Sequence, residues 1–154
     1  MKRMISGTAL LGLAFLLFTA AKCNKEKYEY SAETKVEISK TPCFGRCPTY
    51  TFTLNGQGEA TYNGRKFVEL EGDHTRVFPI DTTNVAFATL IAADLWQYQD
   101  EYTAPVTDLP TTYLSFHHDG KSKRIKLYAQ YPQELEALVK ELEALAFSKG
   151  WVKK

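Results

Sequence analysis

Several short runs of the chain alternate apolar and polar positions with a period of two. In KVEIS, Val36 and Ile38 are set off from the charged Lys35 and Glu37, the pattern of a strand with one buried face. TYTFTL alternates more cleanly, with Tyr50, Phe52 and Leu54 on one side and Thr49, Thr51 and Thr53 on the other. NGQG then marks a turn, and EATYNG offers Ala60 and Tyr62 as inward residues. A three-residue loop over 55–57 pairs Phe52 with Ala60 and Tyr50 with Tyr62. A two-residue Asn55-Gly56 turn would set Phe52 against Glu59, so the three-residue loop is the expected register. KFVELEG and HTRVFPI extend the strand material, as one bent strand or as a hairpin about Gly72.

The period then lengthens. Asp81 or Thr82 can cap a helix in which Val85, Phe87, Ala88, Leu90, Ile91, Leu95 and Trp96 follow, and apolar residues over most of its girth predict heavy burial. QDEYTAPVTDLP, residues 99–110, is a long connection with two prolines, a length uncommon in loops without a role. In TTYLSFHHDGKSKRIKLYA the Asp119-Gly120 pair is a strong two-residue turn signal. Counting outward from it, Leu114 faces Ile125 and Thr112 faces Leu127, with Phe116 on the same side. Tyr113, Ser115, His117, Arg124, Lys126 and Tyr128 share the opposite face. Pro132 suits the first turn of a last helix, whose Leu135, Leu138, Val139, Leu142 and Leu145 form one apolar stripe.

These elements predict an α+β domain: an antiparallel sheet of five to six strands in the order βββ(β)-α-ββ-α, with both helices on one face. No internal repeat or low-complexity tract interrupts it.

The first residues change the picture of where this domain resides. MKRMISGTALLGLAFLLFTAAKC has Lys2 and Arg3, an apolar run from Met4 to about Phe18, then small residues, the three-part build of an export signal over residues 1–22. The run is short for a span, which takes roughly 20 apolar residues. Cys23 stands where a lipoprotein signal is cut, and the stretch resembles a lipobox, although Lys22 replaces the usual small residue and Ala20 the usual leucine. Cleavage after Ala21 by an ordinary signal peptidase is the rival. Residues 23–33 read as a polar tether and 34–154 as one domain. The expected location is the cell envelope, anchored by lipid on Cys23 at the outer membrane or periplasmic face, with a soluble periplasmic protein as the alternative. Loss of residues 1–22 leaves 16 basic against 18 acidic residues, a net of −2. So small and mixed a charge argues against nucleic acid as a partner.

Chemistry is concentrated in PCFGRCP, residues 42–48. Three cysteines in an exported chain leave one over, unless Cys23 carries lipid and Cys43 pairs with Cys47. Thioredoxin-type chemistry normally has two residues between the sulfurs and a helix after them; here there are three, and strand pattern follows. Covalent haem needs histidine where Pro48 stands, and tetrahedral zinc needs four ligands. The motif is similar to the C-x-x-x-C-P of the Sco copper-delivery proteins, which implies a copper or thiol-redox alternative using Cys43, Cys47 and His117, or His118 in its place. The reading preferred is a disulfide staple, Gly45 permitting the bend and Pro48 turning Cys47 away from helix.

Among the remaining side chains, Tyr113, His117, Arg124, Lys126 and Tyr128 form a candidate binding face for an envelope protein or glycan, since Tyr and Arg are common anchors. Asp108 in TDLPT is a carboxylate either aimed into a site or capping its own loop. His74, beside Asp73, reads as a turn residue, and His118 as surface. No phosphate loop or nucleophile elbow is present. The expected protein is therefore not an enzyme and needs no cofactor.

From Val36 to about Leu145 the chain resembles an uncharacterised domain family of Bacteroidetes-type bacterial lipoproteins. ISKTPCFGRCPTYTFTLNGQGEATYNG, with its PCFGxCPxY motif, carries the resemblance, followed by TDLPTT, the strand-turn-strand and the terminal helix. The resemblance implies no activity.

Overall fold

In the computed structural model, which describes residues 27–154, the alternating runs form strands and the longer periods form helices. The segment read as an export signal and Cys23 lie outside the described residues. Four strands come first: β1 (Lys35–Lys40), β2 (Thr49–Asn55), β3 (Glu59–Lys66) and β4 (Gly72–Val77). Helix α1 (Ile80–Ala92), a 3-10 turn (Leu95–Gln97) and β5 (Glu101–Tyr102) follow. The hairpin β6 (Thr112–His118) and β7 (Lys121–Leu127), helix α2 (Gln133–Ala146) and β8 (Val152–Lys153) complete the order.

The sheet order is β5-β7-β6-β1-β2-β3-β4-β8. The α+β class stands, with two corrections to the sheet. It has eight strands rather than five to six, because β5 and β8 add two residues each at the flanks. It is mixed rather than antiparallel, because β5 leaves α1 in the direction of β7 and pairs with it in parallel. β1 is central and antiparallel to both β2 and β6.

The second hairpin has the register counted from its turn: Leu114 faces Ile125, Thr112 faces Leu127, and Asp119 and Gly120 both take positive φ. The first hairpin does not. Phe52 pairs with Tyr62 and Leu54 with Ala60, so the three-residue loop is 56–58 rather than 55–57. The loop must place a residue at φ +78°, and Gly58 adopts that value without strain. Asn55 then accepts the backbone N–H of both Gln57 and Glu59 on its Oδ1 at 3.0 Å. The slip moves each partner by two positions, so the inward face is unchanged.

Two further expectations are corrected. KFVELEG is a bend rather than a strand: β3 ends at Lys66, Phe67 takes φ 56°, and the chain returns as β4 from Gly72. His74 is not a turn residue but lies within β4, buried opposite Tyr62.

The core is the inward face of the central strands. Val36, Ile38, Phe52, Leu54, Leu114 and Ile125 are fully buried there. Both helices cover this face. Phe87 of α1 stacks on Phe116 at 6.5 Å, and Tyr50 donates its hydroxyl to Glu143 of α2 at 2.7 Å. Lys40 joins that carboxylate at 2.5 Å, tying the end of β1 to α2.

Helix α1 departs from its reading. It begins after Pro79, whose carbonyl accepts the Thr83 N–H and hydroxyl, with no side-chain cap from Asp81 or Thr82. It buries one stripe, Thr83, Phe87 and Leu90, while Val85 stays 66% exposed. The buried threonine broke the apolar pattern, and Val85 counterfeited it on the other side. Leu95 and Trp96 belong to the separate 3-10 turn. In α2 the buried residues are Leu135, Leu138, Val139, Leu142 and Ala146, and Glu136 pairs with Lys140 at 2.6 Å on the water side.

The register defines two poles. Loops 41–48, 67–71, 103–111 and 128–132 gather where β1 ends; its start lies at the other pole, beside the β6–β7 turn. Residues 27–31 reach that second pole along α1. Asn84 donates to the Lys27 carbonyl at 3.1 Å, the Tyr28 hydroxyl donates to the Phe78 carbonyl at 2.8 Å, and Tyr30 packs 5.5 Å from Phe87. Among the described residues no helix is long and apolar enough to cross a membrane.

Candidate binding face

Because both helices lie on one side, no helix among the described residues covers the other side of the sheet, and the polar half of each alternating strand lines it. β1 presents Lys35, Glu37 and Ser39, β2 presents Thr51 and Thr53, and β3 presents Thr61 and Asn63. The hydroxyls bond laterally, Ser39 with Thr51 at 3.2 Å and Thr53 with Thr61 at 2.7 Å. β6 and β7 contribute Tyr113, Ser115, His117, Ser122, Arg124 and Lys126. A shallow groove of about 650 Å³ runs over this part, lined by Lys35, Glu37, Ser115, His117, Ser122 and Arg124 among others. A second concavity beside it takes in Asp100, Tyr113 and Lys126.

The structure brings together three of the five residues read as a binding face. Tyr113 and Lys126 are cross-strand partners, and the Arg124 guanidinium lies 4.5 Å from the centre of the Tyr113 ring. That contact is a cation–π pair. Two of the nearby cations are matched by carboxylates. Lys126 binds Glu101 at 2.7 Å, and this hydrogen bond holds its ammonium above the usual lysine range. Lys123 donates to Asp100 at 2.5 Å and to the Tyr98 carbonyl at 2.7 Å. The surface is thus rich in hydroxyls and near charge balance, suited to hydrogen bonding with a polar, uncharged partner.

The other two residues of the set are placed differently. His117 is on the same face but near the turn, sharing a 2.8 Å hydrogen bond with Ser122. Tyr128 donates its hydroxyl to the Val106 carbonyl at 2.8 Å and so braces the 103–111 loop. Asp108 is exposed in that loop at φ 70°, where it accepts the Thr107 hydroxyl at 3.1 Å. His118 is half-buried and bonds Thr34 at 3.2 Å.

Cys43 and Cys47 are joined as a disulfide with their Cα atoms 5.7 Å apart, at the pole where β1 ends. His117 pairs with Lys35 at the start of β1, so the length of that strand separates it from the sulfurs, roughly 17 Å at the strand rise. Phe44 at the tip of the loop is 89% exposed. Thr41 and Thr111 hold the loop to the 103–111 segment by paired 3.0 Å bonds. Replacing both Cys43 and Cys47 by serine should lower unfolding free energy by about 2 kcal/mol, the chain-entropy value for so short a ring. Urea melts of oxidised protein and variant check it; an unchanged midpoint would mean the bond adds nothing to stability.

The architecture defines a class: an α+β domain with one sheet face under two helices and the other, among the described residues, without a helix over it. The chain belongs to the DUF6438 family, a domain of unknown function, over residues 34–146. No curated protein matches it. The family segment runs from the residue before β1 to the last residue of α2, so it contains the whole open face and the disulfide loop, and it excludes residues 147–154.

Proposed function

We propose that the protein is a non-enzymatic binding domain of the bacterial cell envelope, anchored through lipid on Cys23 in Bacteroidetes-type cells, that holds a glycan on the open face of its sheet. The observation that carries this reading is the Tyr113–Arg124 cation–π pair among Ser, Thr and His side chains, with Lys123 and Lys126 beside it paired to carboxylates. A sugar polymer asks for hydroxyl partners and a flat apolar plane rather than net charge. Residues 27–31 run along α1, on the covered side, and the chain then passes Ala32 and Glu33 at the edge of the groove before it enters β1.

Co-sedimentation with insoluble envelope polysaccharide tests the proposal. The wild-type chain is expected to pellet saturably. Tyr113→Ala and Arg124→Ala should each weaken retention about tenfold, the scale of an anchor residue, while shifting stability by no more than about 0.5 kcal/mol. Retention identical in wild type and both variants would sink it. Mass spectrometry of the mature N-terminus settles the anchor separately: a diacylglyceryl-modified Cys23 is expected, and an unmodified Lys22 terminus would exclude it.

A further inference from the structure

On the helix side, away from the open face, a cleft of about 270 Å³ lies between the 67–71 bend and the turn that joins α2 to β8. Tyr62, Leu70, Phe147 and Trp151 supply its walls, with Ala146 beside them and Glu69 and Lys149 at its polar margin. We propose that this cleft is a binding pocket for a single aromatic ring carried by a small molecule.

Both walls are fixed by contacts independent of any occupant. On one side, β3 has Gly64 where the bend folds over it, and a Cβ there would run into the Leu70 carbonyl and the Val68 side chain. The bend can lie on the sheet only because that position lacks a side chain. On the other side, the Arg76 guanidinium stacks 4.2 Å from the Phe78 ring, donates to the Ser148 hydroxyl at 2.6 Å and also bonds the Lys149 carbonyl. Trp151 donates its indole N–H to the Ala146 carbonyl at 3.0 Å. An arginine on the inward face of a strand thereby ties down the turn that carries Phe147 and Trp151, an arrangement that serves a preformed pocket.

The ring class follows from the walls. Phe147 remains 50% exposed although it packs edge-on against Tyr50 at 4.9 Å and Tyr62 at 6.3 Å. Trp151 is tilted 43° to Tyr62 with 5.7 Å between centres. Three aromatic rings around one small space offer the edge-to-face and offset contacts that another aromatic ring takes up, and apolar surface left open in a small domain marks a binding site. The cleft volume falls just below the usual range for drug-sized ligands, roughly 300–1,000 Å³, so one ring is the fitting size.

The test is NMR on the full chain, with the indole N–H of Trp151 as reporter and that of Trp96, outside the cleft, as internal control. Titration with indole and with p-cresol should shift the Trp151 signal saturably in the millimolar range and leave Trp96 in place, and methyl glucoside should move neither. Ala146→Leu fills the space and should abolish the shift. Phe147→Ala, at a half-exposed position, should weaken binding about tenfold and decides the matter if the first variant fails to fold. No saturable Trp151 shift, an equal response to the sugar, or a response unaltered by Phe147→Ala each overturns the proposal.

Discussion

The domain should lose stability steeply above pH 10, and Tyr62→Phe should blunt that loss. Burial pushes the Tyr62 hydroxyl up to about 12. Tyr50 is raised in the same direction, first by burial and then by the hydrogen bond it donates to Glu143. An unfolded tyrosine ionises near 10, so between about pH 10 and 12 the folded state keeps a proton that the unfolded state releases. The stabilising contribution is therefore complete below pH 10 and drains away as pH rises toward 12, at about 1.4 kcal/mol per pH unit for each tyrosine. Tyr62 alone accounts for about 2.7 kcal/mol over that interval, a large part of the stability of a domain this size. Urea melts at pH 8, 10, 11 and 12 measure it. In Tyr62→Phe the slope against pH should fall by about one proton, and a slope equal to that of wild type would refute the assignment.

The second large effect contrasts two phenylalanines four residues either side of the second cysteine's neighbour, Pro48: one inside the sheet, one at a loop tip. Phe52 is wholly buried, edge-on to Phe78 at 6.4 Å and to Trp151 at 6.0 Å, and its truncation to alanine should cost about 3–5 kcal/mol because the sheet and two aromatic neighbours cannot collapse into the void. Phe44, at the tip of the disulfide loop, touches so little that Phe44→Ala should change stability by no more than about 0.5 kcal/mol. Thermal or urea denaturation of the two variants side by side reads both numbers. Comparable losses would mean that the loop tip is packed.

What could be read from the residues depended on whether the physical cause was local. Asp119-Gly120 encodes its turn in two residues, so the pairing of β6 with β7 could be counted outward from it. In the first hairpin three candidate positions for the loop compete within NGQG, and the deciding requirement, a positive φ at the third loop residue, belongs to Gly58 rather than to the Asn-Gly pair that draws the eye. The helix at 80–92 was recognisable, but its buried stripe includes Thr83, whose hydroxyl is satisfied by the Pro79 carbonyl one turn back. Hydropathy cannot register a polar group that finds its partner within the helix. β5 and β8 have only two residues each, too few to show a period, and they exist because α1 and α2 deliver the chain to the sheet flanks.

The candidate sites divide along the same line. The Tyr113, Arg124 and Lys126 grouping follows from strand alternation alone, while Tyr128 was diverted by a loop that no period describes. The pocket walls were missed because Arg76 sits at an inward register position, opposite Ala60, where a charge is unexpected. The signal was available in FSKGW, residues 147–151: two aromatics about a glycine after a helix mark a chain that turns back over the sheet.

The flanks of the sheet bear on life at high density. β8 and β5 each cover only two residues of β4 and β7, and the stretch of β7 beyond β5 carries Lys121, Lys123 and Arg124. Short, basic borders of this kind repel a like neighbour and give it little backbone to extend. Copies crowded side by side can therefore share a surface without zipping into a continuous ribbon.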